Sequence, residues 1–125
     1  VKPKAKHKKP TQQRLSVVGM NYRVTPSVRR FMVSHLPIRV SIEREPDNPE
    51  DSNAIAVTVF DKEIPYNKLK IGYLRRQVAA VWAPAIDEGT LKIHKTYLIE
   101  IDVEDGTGEL LMNVSATPAV LKVGS

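Results

Sequence analysis

The chain contains no cysteine. That absence excludes a disulfide scaffold, a cysteine-ligated zinc site and a thiol nucleophile together. It fits a reducing compartment, so an intracellular location (cytoplasm, nucleoid or nucleus) is expected. No apolar run approaches the roughly 20 residues needed to span a bilayer, and no secretory h-region is present, so no membrane association is expected. Only three histidines occur, His7, His35 and His94, and none lies three or four residues from another. A metal site would need scattered carboxylates to complete it, and none is expected. The acids Glu43, Glu45, Asp47, Glu50 and Asp51 cluster, but Pro46 and Pro49 break the alternate spacing of a calcium loop. They read as solvated turn residues. A Gly-x-Ser-x-Gly elbow, a phosphate-cradling loop with its lysine and a dinucleotide fingerprint are all missing. No catalytic residue and no cofactor are expected.

Acidic residues are missing from the first fourteen positions, where Lys2, Lys4, Lys6, Lys8, Lys9 and Arg14 hold six of the nineteen basic residues. The remainder carries thirteen basic against fourteen acidic residues, so the whole excess of +5 lies in the arm. A Lys/Pro-rich segment cannot bury apolar surface. Residues 1–13 are expected to be a disordered arm giving non-specific phosphate contacts through its lysines, or else a solubilising linker. The chain opens on Val1, as expected of a segment processed or cut from a longer protein.

At 125 residues with 42% hydrophobic content, the chain suits one folded domain, expected over 14–117 with a tail at 118–125. Leu15–Met20 reads as a buried strand with a bulge or close approach at Gly19. Thr25-Pro26 starts a short helix over about 26–35, with Arg29 and Arg30 on its outer face and Pro37 beyond its end. Ile38–Glu45 alternates as a half-buried strand, Pro46–Ser52 is turn chemistry, and Ala54–Phe60 is an apolar strand. A polar connection over 61–68 precedes a strand at Leu69–Leu74. Helical spacing of Val78, Val81, Trp82, Ala85 and Ile86 predicts the main helix over about 75–87, with Pro84 kinking or tightening its last turn and Gly89 as its stop. Strands at 92–103 and 109–116 close the chain around Asp105-Gly106-Thr107-Gly108. The fold class is mostly β: a small barrel with one main helix and a short extra helix near 26–35.

Three blocks carry a resemblance: Val17–Tyr22 (VVGMNY), Glu43–Val57 (EREPDNPEDSNAIAV) and Ile71–Gly89 (IGYLRRQVAAVWAPAIDEG). Together they resemble the HIRAN domain family over about residues 15–115. The resemblance implies an OB-like β-barrel that accompanies DNA-remodelling helicases and nucleases, acts in DNA repair or replication, and holds single-stranded DNA with preference for a free 3′ end. It places the ligand pocket at Tyr22, Asp51 and Tyr73. Asn21 stands where the relatives often have a basic residue, Glu50 where they often have an aromatic one, and Tyr73 where a histidine is common.

Each position also has a plain structural reading. Tyr22 would cap the core with its ring. Asp51 and Asn53 would fix the turn through side-chain to backbone bonds. Trp82 belongs in the core. Arg75 and Arg76 open the main helix, where cations oppose the macrodipole, and this points to a ligand. The functional expectation is a non-enzymatic nucleic-acid-binding module. Tyr22 and Tyr73 stack bases, Asp51 contacts a terminal sugar or hydroxyl, and Arg23, Arg75 and Arg76 hold phosphates. A helicase or nuclease is the expected partner or fused neighbour. The alternative is a protein-interaction or structural module that keeps the fold and has lost the pocket.

Overall fold

The computed structural model describes residues 10–60 and 68–122. The lysines of the arm and most of the 61–68 connection lie outside the described residues. Six strands, β1 (Thr11–Val18), β2 (Ile38–Arg44), β3 (Ile55–Val59), β4 (Leu69–Leu74), β5 (Lys92–Asp102) and β6 (Thr107–Ser115), form a closed antiparallel barrel in the order β1-β4-β3-β2-β5-β6. β1 pairs with β6 along its length, from Thr11 opposite Val114 to Val17 opposite Gly108, and this seam closes the cylinder. Inward residues such as Val17, Ile55, Val57, Ile71, Leu98 and Leu110 are almost completely buried. β3 is buried on both faces.

Among the described residues, four helices decorate the barrel: α1 (Met20–Arg23), α2 (Pro26–Val33), α3 (Arg76–Glu88) and α4 (Pro118–Leu121). α2 begins as its sequence signals predict, with Pro26 in the first turn and Thr25 Oγ1 accepting from Val28 N at 3.3 Å. α3 runs through Pro84 and ends at Gly89, whose φ of 81° is the left-handed cap. The inner face of α3 buries Val78, Ala79, Trp82 and Ala83 against the barrel.

In the elements of the fold, four departures from the sequence expectations stand out. β1 begins at Thr11, so residues 11–13 belong to the barrel and not to the arm. Backbone pairing with β6 needs no apolar pattern, and TQQR carries none. Gly19 does not bulge a strand; at φ 86° it ends β1 and turns the chain into α1, which takes Met20 out of the strand. The segment after 117 is not simply a tail, because α4 packs on α3 and the Trp82 indole donates to the Val120 carbonyl at 3.1 Å.

The fourth departure is Arg29, which is buried at 5% exposure instead of facing solvent. Its Nε donates to the Val103 carbonyl and its Nη1 to the Val24 carbonyl, both at 2.6 Å. One guanidinium thus ties the end of α1 to the β5–β6 connection. Buried carbonyls need donors, and the charged fork supplies two at once. The same connection also touches α1 directly: Gly106 O accepts from Met20 N at 3.0 Å, and a Cβ on Gly106 would lie 2.4 Å from Asn21 N. Arg29→Met keeps much of the stem but leaves two carbonyls without donors, which should cost about 2–4 kcal/mol. Urea denaturation should show this loss, with Arg29→Lys intermediate; wild-type stability in Arg29→Met would exclude the clamp.

Candidate functional site

α1 is a single turn anchored by buried Met20, and it leaves Asn21, Tyr22 and Arg23 in solvent. Tyr22 is 87% exposed, so its ring does not cap the core. Arg23 reaches across to β4, where its Nη2 donates to Tyr73 Oη at 3.2 Å and its guanidinium carbon lies 5.1 Å from the Tyr73 ring centroid. Tyr73 sits on the outer face, registered between Val18 of β1 and Ala56 of β3.

The phenol of Tyr73 uses its full hydrogen-bonding capacity. It donates to Glu45 Oε1 at 2.9 Å and accepts from Arg23 and from Lys70 Nζ, the latter also at 3.2 Å. The Lys70 ammonium lies 5.3 Å from the same ring centroid, within cation–π range, and is bonded to Glu45 Oε2. A third donor, Asn48 Nδ2, reaches Glu45 Oε1 at 3.0 Å. Burial pushes the Glu45 carboxyl up, but the bonds from Lys70, Asn48 and Tyr73 outweigh it and hold the group below the usual glutamate range. The bond to Glu45 raises the Lys70 ammonium above an ordinary lysine, against the opposing effect of burial.

Asn48 carries the network into the acidic loop. Its Oδ1 accepts from Glu50 N at 2.9 Å and Asp51 N at 3.3 Å, while Asp51 Oδ1 accepts from Asn53 N at 2.9 Å. The turn-fixing role expected of Asp51 is therefore present. Its other oxygen lies 3.7 Å from Arg76 Nε, with the Asp51 side chain 22% exposed. Glu50 is exposed. Arg75 caps α3 without a side-chain bond, Arg76 opens the helix, and its first turn holds no acid. Positive side chains thus crowd the positive end of the helix. Behind them Arg44 binds Asp87 through two 3.0 Å bonds and the Ala54 carbonyl through one at 2.9 Å. Asp87 raises the Arg44 guanidinium, and Arg44 holds the Asp87 carboxyl low.

The structure brings Arg23 to Tyr73 and Arg76 to Asp51, and places Tyr22 beside the first pair on α1. Sequence reading missed Glu45 and Lys70. Glu45 is not a solvated turn acid but the centre of the network. Lys70 is three residues from Tyr73, a spacing that puts strand neighbours on opposite faces. The register shift between Val57–Gly72 and Thr58–Lys70 inserts Ile71 as an extra residue and turns both side chains to one face. The clustered acids beside EREP were the available signal for Glu45; nothing local announces the bulge.

The HIRAN domain family profile matches residues 11–115. The chain belongs to the HIRAN domain family. The crystal structure of the HIRAN domain of human HLTF is similar at a TM-score of 0.63 and 22% identity, covering 92% of this chain and 85% of that one. A Lactobacillus plantarum protein matches at 0.59 and 22%, covering 85% and 98%. The NMR structure of the HLTF HIRAN domain in its DNA-bound conformation matches at 0.55 and 23%, covering 89% and 80%. At these identities the likeness concerns the barrel fold. No curated protein matches the chain.

The Glu45 network has a pH signature in this HIRAN domain. A carboxyl held low in the fold contributes stability that is complete above its unfolded value and is lost as pH falls through the folded one. Lys70, held high, contributes stability below the unfolded lysine value and loses it only in alkali. Acidification below the ordinary glutamate value of about 4.3 should therefore lower the melting temperature of wild type more steeply than that of Glu45→Gln. Asp87 is common to both proteins and cancels. Parallel melting curves against pH would show that Glu45 gains nothing from its partners.

Proposed function

We propose that this HIRAN domain binds single-stranded nucleic acid, DNA foremost, at the surface formed by α1, β4, the 45–54 loop and the start of α3. One observation carries the reading: Tyr22 holds an aromatic ring 87% exposed, next to a guanidinium already poised over a second tyrosine. An exposed ring flanked by cations is what base stacking and phosphate contact require. Tyr22 is the stacking platform. Tyr73 receives a base as Arg23 moves from its ring to a phosphate. Arg75 and Arg76 take phosphates with the free N–H groups of the α3 N-terminus. The lysine arm adds sequence-independent attraction, and a helicase or nuclease that exposes single strands is the natural partner or fused neighbour.

Tyr22→Ala should weaken binding of a fluorescent single-stranded oligonucleotide by about 1–3 kcal/mol in anisotropy titrations, while Tyr22→Phe retains most of it. Equal affinity of Tyr22→Ala and wild type would overturn the assignment and favour a protein ligand, which the exposed Glu50 would suit.

The same surface can read a strand end. A carboxylate facing a free 3′ hydroxyl gains a charge-assisted bond, whereas a 3′ phosphate repels it. The lysine arm favours the opposite order, so the comparison needs protein lacking residues 1–9, a cut that stops short of β1. Such protein should prefer the 3′ hydroxyl oligonucleotide. Asp51→Asn, which keeps an acceptor for the Asn53 N–H, should reduce that preference. Equal binding of both ends by the unsubstituted domain would remove Asp51 from the ligand pocket.

A further inference from the structure

The seam between β2 and β5 is short. It pairs only Ile38–Val40 with Leu98–Thr96, although β2 continues to Arg44 and β5 starts at Lys92. β5 also shifts register between Ile93 and Thr96. A cleft of about 420 Å³ opens there, with Arg39, Ser41, Phe60, Ile93 and His94 among its walls. None of these residues belongs to the surface around Tyr22 and Tyr73.

The outer face beside this cleft has an ordered composition. Val59 pairs with both Val40 and Leu69, and these register points bring Phe60, one step on, between Arg39 and Lys68. Arg39 in turn pairs with Tyr97. One row across the wall therefore reads Lys68, Phe60, Arg39, Tyr97: cation, ring, cation, ring. Phe60 is 48% exposed, with Lys68 Nζ 5.6 Å from its ring centroid, and the Arg39 guanidinium lies 6.0 Å from that of Tyr97. Lys92, His94 and Lys95 continue the exposed basic edge along β5. Glu43 stands at the margin, where its carboxylate accepts the Thr58 hydroxyl at 3.4 Å.

We propose that this cation–ring row is a second contact surface for the strand bound at Tyr22, taking a nucleotide farther along the same single-stranded chain. The inference rests on the single-strand reading above and sets the length of strand the domain holds. Ala56, the cross-strand partner of Tyr73, lies four residues before Phe60 on the same wall, about 13 Å at strand rise. At about 3.4 Å per stacked nucleotide this is about four nucleotides or fewer, a distance that the roughly 4–16 nucleotides held by an OB-type barrel can cover. Alternating rings and cations match alternating bases and phosphates. An extended peptide added at the open seam would instead need apolar pockets for alternate side chains, where this wall presents charge.

The test compares oligothymidylates of about two and about twelve nucleotides; at about 3.4 Å per stacked nucleotide the shorter cannot span about 13 Å and the longer can. Wild type should bind the longer one more tightly. Phe60→Ala should weaken the longer by about fivefold or more and leave the shorter unchanged. Arg39→Gln should flatten the salt dependence of the longer by about 0.7 in log–log slope. Both side chains are exposed, and circular dichroism checks that each variant is folded. Tyr22→Ala should weaken both oligonucleotides. Loss in Tyr22→Ala with none in Phe60→Ala or Arg39→Gln overturns the second surface alone. Failure of Tyr22→Ala to weaken either oligonucleotide overturns the reading beneath it. Equal loss on both lengths in Phe60→Ala overturns the two-point arrangement, and length-independent binding by wild type leaves the cleft to a protein ligand.

Discussion

A carboxylate removed from most of its water stays ionised only where donors replace the solvent it has lost. Glu45, with its side chain 24% exposed, meets that condition through Lys70, Tyr73 and Asn48. Each bond fixes a different part of the molecule. Lys70 and Tyr73 belong to β4, Asn48 organises the loop that displays Asp51, and Tyr73 receives Arg23 from α1. Elements separated by up to 50 residues in sequence are thus referred to one carboxylate. Without it the loop and the tyrosine would each need new partners, and the arginine would stack on a ring no longer held in orientation.

The site is consequently less simply basic than its arginines suggest. Lys70 is committed to Glu45, Arg44 to Asp87, and Arg76 stands near Asp51. These ion pairs fix geometry more than they add attraction, since the partly exposed ones are worth little energetically. Arg23 is held by a neutral phenol rather than a carboxylate, so its charge remains available to an anion. The excess positive charge of the sequence lies in its first fourteen residues, and the rest of the chain is close to neutral.

Most of the barrel was legible in the sequence because its strands alternate or run apolar, and because Thr25-Pro26 and Gly89 mark helix ends. The candidate site was legible in its residue types but not in its connections. Arg23 meets Tyr73 and Arg76 approaches Asp51, the two pairs being linked through Glu45 and Asn48. The reason Tyr73 and Lys70 share a face is a bulge with no local signal. Arg29 was misread because helical spacing locates a residue on α2 without showing that two bare carbonyls approach that flank. β1 was read short because hydrogen bonds to β6, unlike burial, leave no hydrophobic trace in TQQR.

Trp82 is the only tryptophan in the chain, and its indole is fully enclosed between α3, the core and the Val120 carbonyl of α4. The protein thereby contains its own optical gauge. Intrinsic emission excited at the indole reports the packing of α3 and the docking of α4 as one signal. Tyr22 lies in solvent instead, so that ring and the enclosed indole report on different parts of the same unlabelled sample.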